Sequence, residues 1–298
     1  MTVLQRSWAV SSFAEPPVHA MRMRSGRWAA WAARVRWWLS APWRQSLTSA
    51  LMIEPAWQAL VLDNPLCLRP VMRCYVDRRV PLWRRPGWAA ADFAAASQHF
   101  STRQKLDLAA GRESILLDLG EGFRLELAFN SLYPEEGLWT LRLVHGEATH
   151  VFQLTFSFLP HGRMLVGSVQ GGASTETTHA LEVIKRFTKH FHGLRPQVFL
   201  VEALGELAQR WRQSVSFVSP RYQAKSRWYR VPKGISFDYE ALFRDCGMVP
   251  KGAGRWGLPR PMPRREMSDI DARKRAMYRR RYAWLADVAQ RLRWDADA

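Results

Sequence analysis

Between Ser114 and Gln170 the chain reads as five successive β-forming segments: SILLDLG, FRLELAFNSL, LWTLRLVHG, THVFQLTFSFL and RMLVGSVQ. Only the turn-forming groups GEG, YPEEG, GEA and PHG separate them. Parallel neighbours need crossovers of a dozen or more residues, so links this short leave an antiparallel meander as the arrangement open to these strands. Every other element must then lie before that sheet, after it, or against one of its faces.

The last strand runs through Gly171 and Gly172 into a helical segment from about Thr175 to His192, which Gly193 closes. Pro196 suits the first turn of a second helix, with Leu200, Ala203, Leu204, Leu207, Ala208 and Trp211 at helical spacing. SVSFVS, Ser214 to Ser219, reads as a returning strand, DYEALFRDCG as a short helix and KGAGRWGLPRPMP as a loop. Upstream, Ser46–Val61 and Ala89–Ala110 each read as one helical stretch. The expected fold is α/β (α+β): an antiparallel sheet with helices, flanked by basic helical arms. Its boundaries are an N-terminal arm 1–50, a main domain 51–250, and a C-terminal loop and helix 251–298.

Charge marks out those arms. Of the formal +18, residues 1–50 carry +6 from seven Arg and one acid, and residues 251–298 carry +7, leaving +5 for the 200 residues between. Such arms attract phosphates of nucleic acid, anionic lipid head groups or acidic ligands through long-range electrostatics. In the first arm, RWAAWAARVRWWL places Trp28, Trp31, Val35 and Trp38 on one helical stripe. That stripe suits docking on the protein's own core or contact with a membrane surface, docking being the commoner fate. In the last arm, Ile270, Met277, Tyr278, Tyr282, Leu285, Ala289 and Leu292 form an approximate stripe on a basic helix. Tyr278, Tyr282 and Leu285 are expected to dock it on the domain and aim its cations at a ligand. RKRAMYRRRY interleaves Tyr with Arg, a pattern that also suits nucleic acid or a solvated charged face.

The three cysteines, Cys67, Cys74 and Cys246, follow neither disulfide nor zinc spacing, so no metal is expected and a reducing cytosol fits best. No apolar run is long enough for a membrane span, and the first residues lack the apolar core of a secretion signal. G-x-S-x-G, P-loop, dinucleotide and HExxH signatures are absent.

IKRFTKHFHGLRPQVFLVEALGELA, DYEALFRDCG, GLP and KRAMYRRRYAWL together resemble the VirK/YbjX family of Gram-negative bacteria. The resemblance extends through LRPVMRCYVDRRV and the meander, roughly Asn64 to Leu292. It implies a link to virulence, envelope stress and tolerance of cationic antimicrobial peptides, and for some members to the DNA damage response. It assigns no molecular activity. The segment PRYQAKSRWYR departs from the family pattern, in which a histidine is usual.

Meander, glycine turn, helix, helix and strand is also the order of a Gcn5-related acyltransferase sheet. There, N–H groups at a helix start hold the pyrophosphate of acyl-CoA. Here Gln170, Gly171, Gly172, Ser174 and Thr175 would form that cradle, or the same residues form an ordinary turn and N-cap. A second placement is His192-Gly193-Leu194-Arg195 ahead of Pro196, with Lys189 and Arg195 adding charge. His179, His190 and His192 are general-base candidates, although i,i+2 positions on a helix face apart and disfavour a metal site. Glu202 lies on an otherwise apolar helix, where a carboxylate calls for a partner such as Arg195 and serves either as acid/base or as a structural ion pair. Lys274, Arg275, Arg279 and Arg280 are the ligand-binding candidates of the last helix. The resulting expectation is an acyl-CoA-dependent acyltransferase or a degenerate relative, the alternative being a non-enzymatic module for anionic lipid or nucleic acid.

Overall fold

The computed structural model describes residues 27–146, 149–171, 177–227 and 237–294. Among them are ten α-helices and one eight-stranded sheet. The strands are β1 (Ser114–Gly120), β2 (Phe123–Phe129), β3 (Trp139–His145), β4 (Thr149–Leu159), β5 (Arg163–Gly171), β6 (Ser214–Val218), β7 (Val249–Pro250) and β8 (Arg255–Gly257). Their order is β1-β2-β3-β4-β5-β6-β8-β7. The expected meander of five antiparallel strands is present, and β6 joins it parallel to β5.

Register sorts the residues of the meander into two unlike faces. Phe129 lies opposite Trp139 and Trp139 opposite Phe156, and Leu127, Leu141 and Leu154 form the next apolar row. The intervening positions are polar: Glu126, Arg142, Gln153 and Gln170 face one another in turn, as do Thr140, Thr155 and Ser168. Strict alternation along FRLELAF, WTLRLVH and FQLTFSF produces both faces, since successive side chains on a strand point to opposite sides.

Helices cover the apolar face. α1 (Arg27–Leu39), α2 (Gln45–Ile53), α3 (Pro55–Asp63), α4 (Arg69–Met72), α5 (Arg85–His99) and α6 (Thr102–Ala109) precede the sheet. α7 (Thr177–His190) and α8 (Pro196–Arg210) connect β5 to β6, and α9 (Tyr239–Asp245) and α10 (Ala272–Trp294) follow. Trp57 of α3 and Phe93 of α5 pack on Trp139, and Phe187 of α7 packs on Phe123.

Both long upstream stretches are broken, and local chemistry explains each break. Pro55 starts a new helix at its first turn, where its missing N–H costs nothing. Ser101 stops α5 and starts α6 with a capping box, accepting from Gln104 N while the Gln104 side chain accepts from Ser101 N. The first arm also docks differently from its expected stripe. Among the described side chains of α1, Ala33 and Trp37 are buried, whereas Trp31 and Trp38 are about 60% exposed. The guanidinium of Arg44 lies 4.1 Å over the ring of Trp37, which with Ala33 belongs to the buried core cluster.

One buried carboxyl ties α5 to the sheet. Asp92 Oδ1 accepts from Trp139 Nε1 at 2.7 Å and Phe158 N at 2.8 Å, and Oδ2 pairs with the Tyr75 hydroxyl at 2.6 Å. Burial pushes the Asp92 carboxyl up to about 7, against the pull of those donors. The folded state therefore holds a proton that the unfolded state has lost between about pH 4 and pH 7. The associated stability is complete below the unfolded value and declines as pH rises through about 7.

Asp92→Ala leaves three buried donors without their acceptor and is expected to cost about 3 kcal/mol or more in denaturant unfolding. Asp92→Asn supplies an oxygen to Trp139 and Phe158 and an N–H to Tyr75, so it should fold. Relative to that variant, the wild type should lose stability between about pH 4 and pH 7 in the same unfolding measurement.

Candidate functional site

The sheet departs from simple pairing at β5. Parallel β5–β6 pairing covers Arg163–Val166 against Ser214–Phe217 and stops there. Beyond it the hydroxyl of Tyr239, from α9, accepts from Val169 N at 2.9 Å and donates to Val169 O at 3.1 Å. A single side chain thus satisfies the strand positions that β6 would otherwise take. Gly167 is required at the same place, because a Cβ there would overlap the Glu136 carbonyl. The 3-10 turn Pro134–Glu136 consequently lies directly on the freed half of β5.

That turn carries two buried carboxylates with different surroundings. Glu135 is neutralised by Arg69, at 2.6 Å and 3.0 Å, and by Arg73 at 3.5 Å. Glu136 Oε2 instead accepts from Gln170 Nε2 at 3.0 Å, and its carbonyl accepts from Thr155 Oγ1 at 3.0 Å. Thr155 Oγ1 and Ser168 Oγ are 2.9 Å apart, which links the polar face of the sheet to this carboxylate. Burial raises the Glu136 carboxyl above the ordinary range, and burial depresses the Lys225 ammonium against the pull of Glu136. Glu136 and Lys225 thus act on one another electrostatically at this seam.

Two of the expected cradle residues open this seam. Gln170 hydrogen-bonds Glu136, and Gly171 is exposed at the strand end. Gly172, Ser174 and Thr175 lie outside the described residues, as do the side chains of His179 and Trp28.

The second placement, around Gly193, opens on a cleft of about 280 Å³ between the start of α8 and the C-terminal helix α10. Glu202 lines it, but its partner is Arg264 rather than Arg195: Arg264 grips both oxygens of Glu202, while Arg195 meets Asp245 at 3.2 Å. The sequence separation of 62 residues hid that pairing. Arg281 donates from Nε and Nη2 to the His192 carbonyl at 2.9 Å and 2.7 Å and stacks 4.3 Å over Tyr278. Gly193, at φ 75°, admits Arg281 and Met277 where a Cβ would collide with them.

Of the remaining candidates, Lys189, His190, Lys274, Arg279 and Arg280 are exposed, and Arg275 donates to the Ile270 carbonyl at 2.9 Å. Arg280 and Arg281 lie near His192, whose imidazole is held below its usual value by partial burial and by these cations and His190. Leu285, Val288 and Leu292 are buried and Tyr282 packs against the core, so α10 docks along the expected seam with Val288 added to it. Sequence reasoning missed Glu136, Lys225, Tyr239, Arg264 and Arg281. The first of these had a signal: YPEEG places two acids in a turn between strands that pack on a core.

A family model described as "Protein of unknown function (DUF535)" matches residues 23–293. The chain is 28% identical over 255 residues to an uncharacterized protein of Haemophilus influenzae, covering 85% of each chain. It is 33% identical over 172 residues to the uncharacterized protein YbjX of Escherichia coli K12, covering 56% of this chain and 51% of that one. Over 111 residues it is 35% identical to a Mannheimia haemolytica protein named membrane protein LapB, covering 37% of this chain and 48% of that one. No solved structure matches the chain.

Gly193→Ala combines a left-handed backbone with a collision against Arg281, so it is expected to cost about 1–3 kcal/mol. Arg281→Gln should also lower the melting temperature. The double variant Arg279→Gln, Arg280→Gln should stay within about 0.5 kcal/mol of wild type, because both side chains face solvent. Thermal and denaturant unfolding of the three proteins checks this ranking.

Proposed function

The chain belongs to the VirK/YbjX family, whose matching model is the family of unknown function DUF535, and on that premise we propose that it binds an acyl thioester and transfers its acyl group. One observation supports the reading: β5–β6 pairing ends at Val166–Phe217, and the buried Glu136 lies on the freed half of β5, with Lys225 in its electrostatic reach. Antiparallel strands followed by one parallel neighbour that separates along its length is the sheet of a Gcn5-related acyltransferase. In that reading the acyl chain lies along Gly167–Gly171, and the phosphate end meets the strand end at Gln170 and Gly171. Gly172, Ser174 and Thr175 complete the cradle, where glycines let an anion approach backbone N–H groups.

The roles follow from protonation. Glu136 takes the proton of an acceptor amine or hydroxyl as that nucleophile attacks the thioester carbon, so a C–N or C–O bond forms and the C–S bond breaks. Lys225 protonates the departing thiolate, which its depressed basicity favours. The Tyr239 hydroxyl, bonded to both Val169 N and Val169 O, holds the backbone of the freed half of β5 in place. An acceptor in the envelope accords with the virulence and peptide-tolerance links that the family resemblance implies. Glu202 and His192, at the other cleft, are assigned to positioning α10 rather than to the reaction.

Calorimetry with CoA and a long-chain acyl-CoA should give binding that Glu136→Gln leaves within about threefold, while thioester turnover, followed by thiol release, falls about 100-fold or more. Gly171→Glu, which places a negative charge at the cradle, should abolish binding with the fold intact. Wild type that binds neither ligand at millimolar concentration contradicts the proposal.

A further inference from the structure

α1 and the 3-10 turn after it (Ala41–Trp43) present Trp31, Trp38 and Trp43 to solvent. Trp31, Trp38 and Leu39 are each about 60% exposed and Trp43 is 46% exposed, while Trp37 is buried. Arg34 is exposed and stands between Trp31 and Trp38 on the outward stripe. Three indoles and a leucine within thirteen residues make an apolar patch of the kind that marks an interaction surface rather than scattered exposure.

Charge selects the occupant. From Pro16 to Ile53 the sequence holds six arginines and no Asp or Glu. A second copy of the same face would bring like charge against like charge. The 26 residues that precede α1 are no better matched, with Arg6, Arg22 and Arg24 against the single acid Glu15. A surface that accepts indoles and also supplies closely spaced negative charge is the head-group layer of an anionic bilayer, where Trp rings prefer the interface and guanidinium groups meet phosphates. No helix among the described residues is long and apolar enough to cross a membrane, so such contact would be peripheral.

We propose that the outward face of α1 and its following turn is a membrane-docking surface for anionic lipid, with Trp31, Trp38 and Trp43 entering the head-group layer and Arg34 contacting phosphate. It stands independently of the acyl-transfer reading, since none of these residues touches the β5 seam.

The full chain is mixed with vesicles of phosphatidylethanolamine and phosphatidylglycerol, or of phosphatidylcholine alone, and partition is read by flotation and by the tryptophan emission maximum. Wild type should float with the anionic vesicles with a blue-shifted emission, and tenfold less with phosphatidylcholine. The variant Trp31→Ala, Trp38→Ala, Trp43→Ala, which alters exposed side chains, should keep its melting temperature and lose at least tenfold in partition. Arg34→Glu should weaken partition at low salt and less so at high salt. Equal flotation of wild type and the triple variant overturns the proposal. So does a triple variant whose one change is conversion of a dimer to a monomer, which would assign the face to a second copy.

Discussion

The carboxyl of Asp92 is the joint on which the fold depends. Without hydrogen-bond partners, a carboxyl on a helix pressed against an aromatic face would be driven out of the core. Here Trp139 Nε1, Phe158 N and the Tyr75 hydroxyl converge on it from β3, β4 and the segment after α4. Those three contacts set the height and rotation of α5 on the sheet. α5 in turn carries Phe93 onto Trp139 and Trp57, and Trp57 Nε1 donates to Ser97 of the same helix at 2.8 Å. Helices α2 through α5 are thereby registered on one end of the apolar face, and α7 and α8 cover the rest.

Fixing the helices on that face leaves the opposite face as polar rows that the chain must satisfy internally. Most of these groups find partners, Arg142 with Glu113 at 2.8 Å and Thr155 with Ser168 at 2.9 Å among them. The row ends at Glu136, where the sheet also loses its parallel partner. A place where strand pairing fails and a carboxylate is buried is costly to stability, and such places are where chemistry tends to be built. The Arg-rich cleft beside Gly193 contrasts with it. There Arg264, Arg195 and Arg281 are committed to Glu202, Asp245 and the His192 carbonyl, so its cations join α8 to α9, α10 and the loop before α10.

Local pattern was the readable part of the sequence. The five strands, the Gly193 stop, the Pro196 start and the seam of the last helix all follow from periods of two or 3.6 and from turn residues, which act over a few positions. Pro55 and the Ser101–Gln104 box were equally local signals, overridden by the apolar content around them. The side of α1 that faces inward was not readable, since Trp37 and Trp38 are chemically identical and tertiary packing around Ala33 and Trp37 distinguishes them. Pairings across long separations, such as Glu202 with Arg264 or Asp92 with Trp139, depend on topology that no window of sequence contains. The seam at Glu136 was hidden for the same reason, because a turn rich in acids reads as surface until β5 is known to run beneath it.

The claim that the freed half of β5 is the working surface is tested most directly by backbone hydrogen exchange with and without a non-transferable thioether analogue of acyl-CoA. The account predicts slowed exchange confined to the amides of Gly167–Gly171 and Glu136, with the amides of Gly193–Val198 unchanged. Protection centred on Gly193–Val198, or no change along β5 at saturating analogue, would contradict it.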